Sequence, residues 1–327
     1  MQFHNTHKDL VQTINKWASD QQAFFLFVDF EMQTPELYRA EDLYKAGIQV
    51  IFPGFSNILQ TEAIPVPRLQ VMPTSYAAYC ASFETVRRHL LAGNSFLVNL
   101  TIRTAVQSAA DLPSIFQAAN APYRIKYKNQ WVCFSPEPFV QIRDGRIRTY
   151  PMKGTLDAGL PDAASRLLSD AKETAEHYTI VDLLRNDLNQ IAENVLVNRF
   201  RYLSTIQRPQ GSLLQMSSEI EGELPISYKE QLGDLLFALL PAGSVSGAPK
   251  KKTLEIIREA EAGPRGFYTG TVFYFDGQQL DSCVLIRFIE QDANGALWYR
   301  SGGGITIHSD MASEYQECLE KIYVPGI

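Results

Sequence analysis

The sequence has few cysteines, few histidines and no excess of positive charge. Its 327 residues include 4 cysteines and 5 histidines, and the formal net charge at pH 7 is -6. The cysteines show neither CxxC spacing nor a paired framework; they are Cys80, Cys133, Cys283 and Cys318. This pattern argues against a disulfide-stabilised secreted domain and against a zinc site, and it indicates reduced thiols in the cytoplasm.

Long apolar runs are also missing. None approaches the roughly 20 residues that a membrane-spanning helix needs, and the N-terminal segment MQFHNTHKDL has no apolar signal region. The basic residues are scattered, apart from the short run Lys250 to Lys252. We therefore expect a cytoplasmic protein that binds neither a membrane nor a nucleic acid.

The apolar residues that are present predict a large core, because they make up 45% of the chain. Strand patterns come in hairpin groups, one of them turning at Asp144-Gly145, and helical patterns separate the groups. A single long helical stretch is predicted over 162–195, a strand over 197–207 and three strands over 266–306. This order favours an α+β fold with antiparallel sheets over a doubly wound parallel sheet.

Carboxylates recur at helical spacing in two places. Glu314, Glu317 and Lys321 are spaced i, i+3, i+7 in the last predicted helix, so they share one face. Glu173 and Glu176 form a second i, i+3 pair in the long middle stretch. Two such helices could build the all-oxygen site that Mg²⁺ prefers. The alternative is a solvated helix face with an internal Glu–Lys pair.

Two glycine-rich segments and two cations complete the candidate site. PAGSVSGAPK (241–250) and SGGGIT (301–306) could bind an anion through backbone amides, although neither has Walker A spacing. Both segments could equally be simple connections. Arg287 lies in an apolar strand and must be paired or hold an anion. Lys153, in PMKGT at the end of a predicted strand, is either a surface charge or a placed amine. Together these groups indicate a pocket for a dicarboxylate.

Five segments in this order resemble the chorismate-utilising enzymes: PMKGT, EHYTIVDLLRNDL, PAGSVSGAPK, RSGGGIT and SEYQECLEK. That family includes anthranilate, aminodeoxychorismate, isochorismate and salicylate synthases, and the resemblance covers roughly residues 75–325. It implies two antiparallel sheets packed as a sandwich with helices outside. It also implies a single chorismate-binding domain over 1–327, with a shortened N-terminal part (1–74) and a catalytic core (75–327).

The resemblance assigns roles to the acidic residues. Glu176 and Glu317 match Mg²⁺ ligands of the family, and Glu173 and Glu314 match carboxylates that bind the metal directly or through water. Glu137, in FSPEPF, matches a catalytic acid that faces the substrate. The groups expected to hold chorismate are Arg287, Lys321, Gly303, Gly304, Gly154 and Thr155.

Lys153 and Leu97 decide the branch of the family that the sequence resembles. Aminodeoxychorismate synthases have a Lys nucleophile before the Gly-Thr pair, whereas isochorismate and salicylate enzymes have a general-base Lys at the position of Leu97. A leucine cannot deprotonate water. The resemblance therefore implies an aminodeoxychorismate synthase component I that makes 4-amino-4-deoxychorismate for p-aminobenzoate and folate synthesis. We expect burial and a nearby Mg²⁺ to lower the Lys153 pKa and free the amine for covalent attack.

Ammonia for this reaction needs a source outside the chain. No cysteine lies in a glycine-rich nucleophile elbow, so a glutamine amidotransferase subunit is the expected partner. Two alternatives stay open: an anthranilate synthase component I, and a non-catalytic subunit that binds chorismate.

Overall fold

A computed structural model describes residues 7–58, 64–208 and 211–326. No helix within these ranges is long and apolar enough to cross a membrane. The α-helices are α1 (Lys8–Ser19), α2 (Tyr76–Leu91), α3 (Leu112–Ala118), α4 (Ala163–Ser169), α5 (Ala171–Leu188), α6 (Leu232–Leu239), α7 (Lys250–Ala260) and α8 (Met311–Glu320).

The strands follow in chain order. They are β1 (Phe24–Val28), β2 (Glu36–Arg39), β3 (Ile48–Phe52), β4 (Phe55–Ser56), β5 (Gln70–Met72), β6 (Leu97–Gln107), β7 (Tyr123–Tyr127), β8 (Trp131–Ser135), β9 (Gln141–Arg143), β10 (Arg146–Thr149), β11 (Met152–Asp157), β12 (Glu193–Arg208), β13 (Gly211–Glu223), β14 (Gly247–Ala248), β15 (Thr271–Phe275), β16 (Leu280–Val284), β17 (Phe288–Gln291) and β18 (Leu297–Ile305).

These strands form two antiparallel sheets. Sheet A has the order β11-β13-β10-β9-β16-β15-β1-β2, with β12 also paired to β13. Sheet B has the order β14-β6-β18-β17-β8-β7-β3-β4, with β5 also paired to β6. The hairpin predicted at Asp144-Gly145 is confirmed, because Arg143 of β9 pairs with Arg146 of β10. The predicted α+β class with antiparallel sheets is therefore confirmed.

A shared apolar core joins the two sheets. Phe25 and Phe27 of β1 pack in one buried cluster with Val50 of β3 and Ile125 of β7. Leu26 points to the opposite face of β1, into the cluster formed with α1, α5 and α6. Strand β1 is therefore buried on both faces, which accounts for its unbroken apolar sequence FFLFV. This core includes residues on both sides of residue 74. The predicted division into an N-terminal part (1–74) and a catalytic core (75–327) stays a prediction.

The helical stretch predicted over 162–195 is wrong in its continuity. It is interrupted at Asp170, whose backbone is extended. Asp170 is the N-cap of α5, and its side chain accepts a hydrogen bond from the Glu173 amide. An Asp that can satisfy a free amide ends one helix and starts another. The region predicted as three strands contains four, β15 to β18, because the predicted middle strand breaks at 285–287 between β16 and β17. Arg287 therefore lies between two strands rather than within one, where its backbone has a positive φ.

Candidate active site

Lys153 lies inside β11 rather than at the end of a strand. The pairing of β11 with β13 shifts register between Met152 and Thr155, and Gly154 between them has a φ of +79°. A bulge of this kind changes the direction of the side chains it carries. The Lys153 Nζ lies 2.6 Å from Oε2 of Glu176, and 31% of its side chain is exposed. The amine is therefore neither a free surface charge nor fully enclosed.

Helix α5 contributes the first pair of carboxylates. Glu173 and Glu176 are one turn apart, and a Cβ on Gly154 would lie only 3.0 Å from Oε2 of Glu173. The missing side chain at Gly154 thus lets β11 approach the helix closely. Burial raises the pKa of Glu173, and the neighbouring charge of Glu176 raises it further. Two acidic groups in this position need cations beside them.

Helix α8 contributes the second pair. A Cβ on Gly303 of β18 would lie 3.5 Å from Oε2 of Glu314 and 3.6 Å from Oε1 of Glu317. Glu314 is buried and accepts a 2.8 Å hydrogen bond from Ser309. Glu317 forms a 2.6 Å ion pair with Lys321. The i, i+3 spacing in the sequence therefore places both carboxylates over the glycine strand.

Lys172 connects the two helices. Its Nζ lies 3.8 Å from Oε1 of Glu176 and 3.5 Å from Oε1 of Glu314. The acidic faces of α5 and α8 therefore converge on one place. Across the described ranges, however, no three or more His, Cys, Asp or Glu side chains are grouped closely enough to hold a metal ion. Lysine ammonium groups lie among these carboxylates.

The Lys153 pKa depends on burial and on the carboxylates beside the amine. Burial lowers it, but the carboxylates of Glu176, Glu317 and Glu173 together raise it above the usual value for lysine. The structure thus favours a protonated amine. The expected lowering depends on a Mg²⁺ beside the amine and stays a prediction, but the sequence did not reveal that Glu176 is the direct ion-pair partner of this amine.

Glu137 lies between the two sheets, just after β8. Its backbone carbonyl accepts from the Val284 amide of sheet A, and its backbone amide donates to the Ser135 hydroxyl at 3.1 Å. Burial raises the pKa of Glu137, although the charges of Arg287 and Lys153 oppose this. A carboxyl group with a raised pKa can keep a proton and donate it.

Arg287 is a cation with spare hydrogen-bonding capacity. Its backbone has a φ of +55°, a costly conformation for a residue with a side chain. Its Nε is buried without a hydrogen-bond partner, and in the described part of the chain no carboxylate lies within ion-pair distance of it. The guanidinium lies over the ring of Tyr323, 5.2 Å from the centroid. A buried guanidinium without a carboxylate is suited to an anionic ligand.

The other predicted residues lie around this cluster. Leu97 is buried, and a Cβ on Gly304 would lie 2.9 Å from its Cδ1. Thr155 is exposed on β11. Sequence reasoning missed Lys172 as a participant. Lys172 had a usable signal, because it lies four residues before Glu176 on the same helix face.

Comparison with known proteins identifies the family of the chain. A family model described as chorismate binding enzyme matches residues 6–325. The chain belongs to this family. It is 49% identical over 317 residues to an uncharacterized PabA-like protein of Pasteurella multocida (strain Pm70), covering 96% of this chain and 98% of that relative.

More distant members of the chorismate binding family have named activities. The chain is 30% identical over 287 residues to aminodeoxychorismate synthase component 1 of Bacillus subtilis (strain 168), covering 80% of this chain and 60% of that protein. It is equally 30% identical, over 281 residues, to anthranilate synthase component 1 of the same strain, with 80% and 53% covered. Identity alone therefore does not separate these two activities.

Solved structures of the family share the fold. Anthranilate synthase component I from Streptococcus pneumoniae TIGR4 superposes with a TM-score of 0.70 at 23% identity, covering 91% of this chain and 79% of that one. The predicted chorismate-utilising fold is confirmed.

Replacing Glu137 by Gln tests the raised pKa of this carboxyl group. Unfolded Glu titrates near 4.3, so Glu137 loses its proton at a higher pH when folded. This carboxyl group therefore stabilises the native protein most at low pH, and its contribution is lost as the pH rises through the folded pKa. Urea unfolding should show Glu137→Gln gaining stability over the unmodified protein from pH 5 to pH 8. The exposed Glu41→Gln is the control, and a gain that does not grow with pH would contradict the shift.

Proposed function

We propose that this chain is an aminodeoxychorismate synthase component I, which converts chorismate and ammonia to 4-amino-4-deoxychorismate and water. The observation that carries the proposal is the Lys153 amine, held 2.6 Å from Glu176 at the centre of the carboxylate cluster. The buried Leu97 supports it, because that side chain offers no base to activate water.

The cations around the cluster suit the two carboxylates of chorismate. Arg287 has an unpaired Nε, and the Lys321 Nζ lies 3.8 Å from the position of a Cβ on Gly303. Gly303 carries no side chain below Lys321, whereas the space beside Gly304 is occupied by Leu97. We assign these four residues, with Gly154 and the exposed Thr155 at the edge, to substrate binding.

The acidic residues fit a magnesium ion by the chemistry of their donors. Glu173, Glu176, Glu314 and Glu317 supply only carboxylate oxygens, which a hard cation prefers. Burial and the neighbouring charge of Glu176 raise the pKa of Glu173, and a cation beside this group would favour its charged form. When bound there, Mg²⁺ would neutralise these carboxylates and attract a carboxylate of the substrate.

The covalent step depends on Lys153 and Glu137. The amine must leave its ion pair with Glu176 and lose a proton before it can attack. Its nitrogen then bonds to C2 of chorismate, the ring double bonds shift, and the C4–O bond breaks. Glu137 gives its proton to the departing hydroxyl, which leaves as water. Ammonia next bonds to C4 and expels the Lys153 amine from C2, while the pyruvyl group stays attached.

Ammonia is proposed to come from a separate glutamine amidotransferase. Glutaminases of this type use a thiolate nucleophile. Burial raises the pKa of Cys318 to about 12 and also raises the pKa values of Cys133 and Cys283. These three thiols are therefore poor nucleophiles, which supports a separate source of ammonia.

Anthranilate synthase activity is the second candidate, and one observation favours it. The raised pKa of Lys153 keeps its amine protonated, and a protonated amine cannot attack C2. Free ammonia would then bond to C2 as the C4–O bond breaks and water leaves, and the enolpyruvyl group would next be eliminated as pyruvate to give anthranilate. The two products differ in mass, so product analysis separates the two activities.

Lys153→Ala tests the nucleophile. The purified protein is incubated with chorismate, Mg²⁺ and ammonium, and products are identified by mass spectrometry. We expect 4-amino-4-deoxychorismate from the unmodified protein, and a loss of at least about 10³-fold in the variant because the covalent route is gone. Lys45→Ala is the matched control, since that side chain is 83% exposed. Anthranilate from the unmodified protein, or an unchanged rate in Lys153→Ala, would refute the proposal.

Mg²⁺ titration by calorimetry tests the metal assignment without relying on turnover. We expect the double variant Glu176→Gln and Glu317→Gln to bind Mg²⁺ at least about tenfold more weakly, because each change removes a charged ligand. Glu320→Gln is the control on the same helix, where Glu320 accepts a hydrogen bond from Gln316. Equal affinity in the double variant and the control would show that the ion binds elsewhere.

A further inference from the structure

The aromatic ring of Tyr323 covers the guanidinium of Arg287, one of the two cations proposed to hold the substrate. The centroid of the ring lies 5.2 Å from the guanidinium carbon. We propose that Tyr323 is a positioning residue, which keeps Arg287 oriented to bind one carboxylate of chorismate through the edge of its guanidinium. The inference rests on the proposed function, in which Arg287 contacts the substrate.

The backbone of Arg287 is anchored, but its side chain needs support. The Arg287 carbonyl accepts a 3.1 Å hydrogen bond from the Phe134 amide of β8. The side-chain Nε, in contrast, is buried without a hydrogen-bond partner. A guanidinium donates its hydrogen bonds in its own plane. A ring over one face can therefore support Arg287 without occupying the donors that a carboxylate would use.

Tyr323 is itself fixed in place. The hydroxyl of Tyr299, a buried residue of β18, donates to the Tyr323 carbonyl at 3.0 Å. The side chains on either side of Tyr323, those of Ile322 and Val324, are buried in the same apolar cluster as Tyr299. Only Tyr323 extends from this segment toward the surface, where it is 46% exposed. The ring thus stands on a rigid backbone beside the guanidinium.

The same short segment carries the second cation of the proposed site. Lys321, two residues before Tyr323, forms a 2.6 Å ion pair with Glu317 and donates to the Gly302 carbonyl at 2.8 Å. Residues 321–323 therefore place one cation directly and support the other through an aromatic ring. Chorismate has two carboxylates, and the separation and orientation of these cations decide whether one molecule can contact both.

The ring of Tyr323, rather than its hydroxyl, should carry this role. A cation over the face of an aromatic ring is attracted by the electrons of the ring. Phenylalanine should therefore replace tyrosine, whereas leucine fills similar space without an aromatic face. Since Arg287 contacts a carboxylate that does not react, loss of the ring should weaken the ground state and the transition state alike. The change should then appear in KM and not in kcat.

Equilibrium binding tests the role without turnover. Chorismate is titrated by calorimetry into the protein with Mg²⁺ and without ammonium, so that no aminated product forms. We expect Tyr323→Leu to raise the Kd about fivefold, and Tyr323→Phe to stay within about twofold of the unmodified protein. Tyr44→Leu is the matched control, since Tyr44 is 67% exposed. Unchanged affinity in Tyr323→Leu, or equal losses in the leucine and phenylalanine variants, would overturn the proposal.

A double-mutant cycle shows whether the effect passes through Arg287. The same titration is made for Arg287→Gln with and without Tyr323→Leu. Once the guanidinium is gone, we expect the leucine change to alter the Kd by less than about twofold, because the contact that it removes is already lost. A fivefold loss in both backgrounds would refute positioning through Arg287.

Steady-state turnover separates this inference from the proposed function. With ammonium present, Tyr323→Leu should raise KM for chorismate about fivefold and leave kcat within about twofold. A fall in kcat at unchanged KM would overturn the inference. An unmodified protein that binds chorismate but releases no 4-amino-4-deoxychorismate would refute the proposed function and leave the binding test valid. A protein that does not bind chorismate would overturn both.

Discussion

The ion pair between Lys153 and Glu176 connects β11 of sheet A to helix α5. Lys153 comes from a bulge in β11 of sheet A, and Glu176 comes from α5, which packs outside that sheet. Their 2.6 Å separation balances one of the negative charges that α5 and α8 bring together. The same contact opposes the proposed chemistry, since it raises the pKa of the amine that must attack. Release of Lys153 from Glu176 is therefore the step on which the proposed activity depends.

The rest of the structure holds this cluster in place. Gly154 allows β11 to approach α5 closely, because a Cβ there would lie only 3.0 Å from Oε2 of Glu173. A Cβ on Gly303 would be in ordinary contact with Glu314 and Glu317. Behind them, Lys250 forms a 2.9 Å ion pair with Asp187 and so ties the end of the glycine-rich segment to α5. Arg265 supports the same segment from the other side. The acidic and basic groups thus stand on rigid elements, as a site that orients its substrate requires.

Local patterns in the sequence predicted much of this arrangement. The i, i+3 spacing predicted that Glu314 and Glu317 share a face. The apolar surroundings of Arg287 predicted that it is either paired or holds an anion, although the strand predicted around it is broken. Features that depend on contacts between distant segments were not predictable. The bulge at Lys153 depends on pairing with β13, and the direction of its pKa shift depends on a residue 23 positions away. Tyr323, whose ring lies over Arg287, was missed for the same reason.

The most direct test is a crystal structure of the protein soaked with Mn²⁺ and chorismate, with anomalous diffraction used to locate the metal. We expect an anomalous peak within ligand distance of Glu176 and Glu317, and a Lys153 amine that has left Glu176 and points at the ring of the substrate. A Lys153 that stays in its ion pair with Glu176 while metal and substrate are bound would contradict the account.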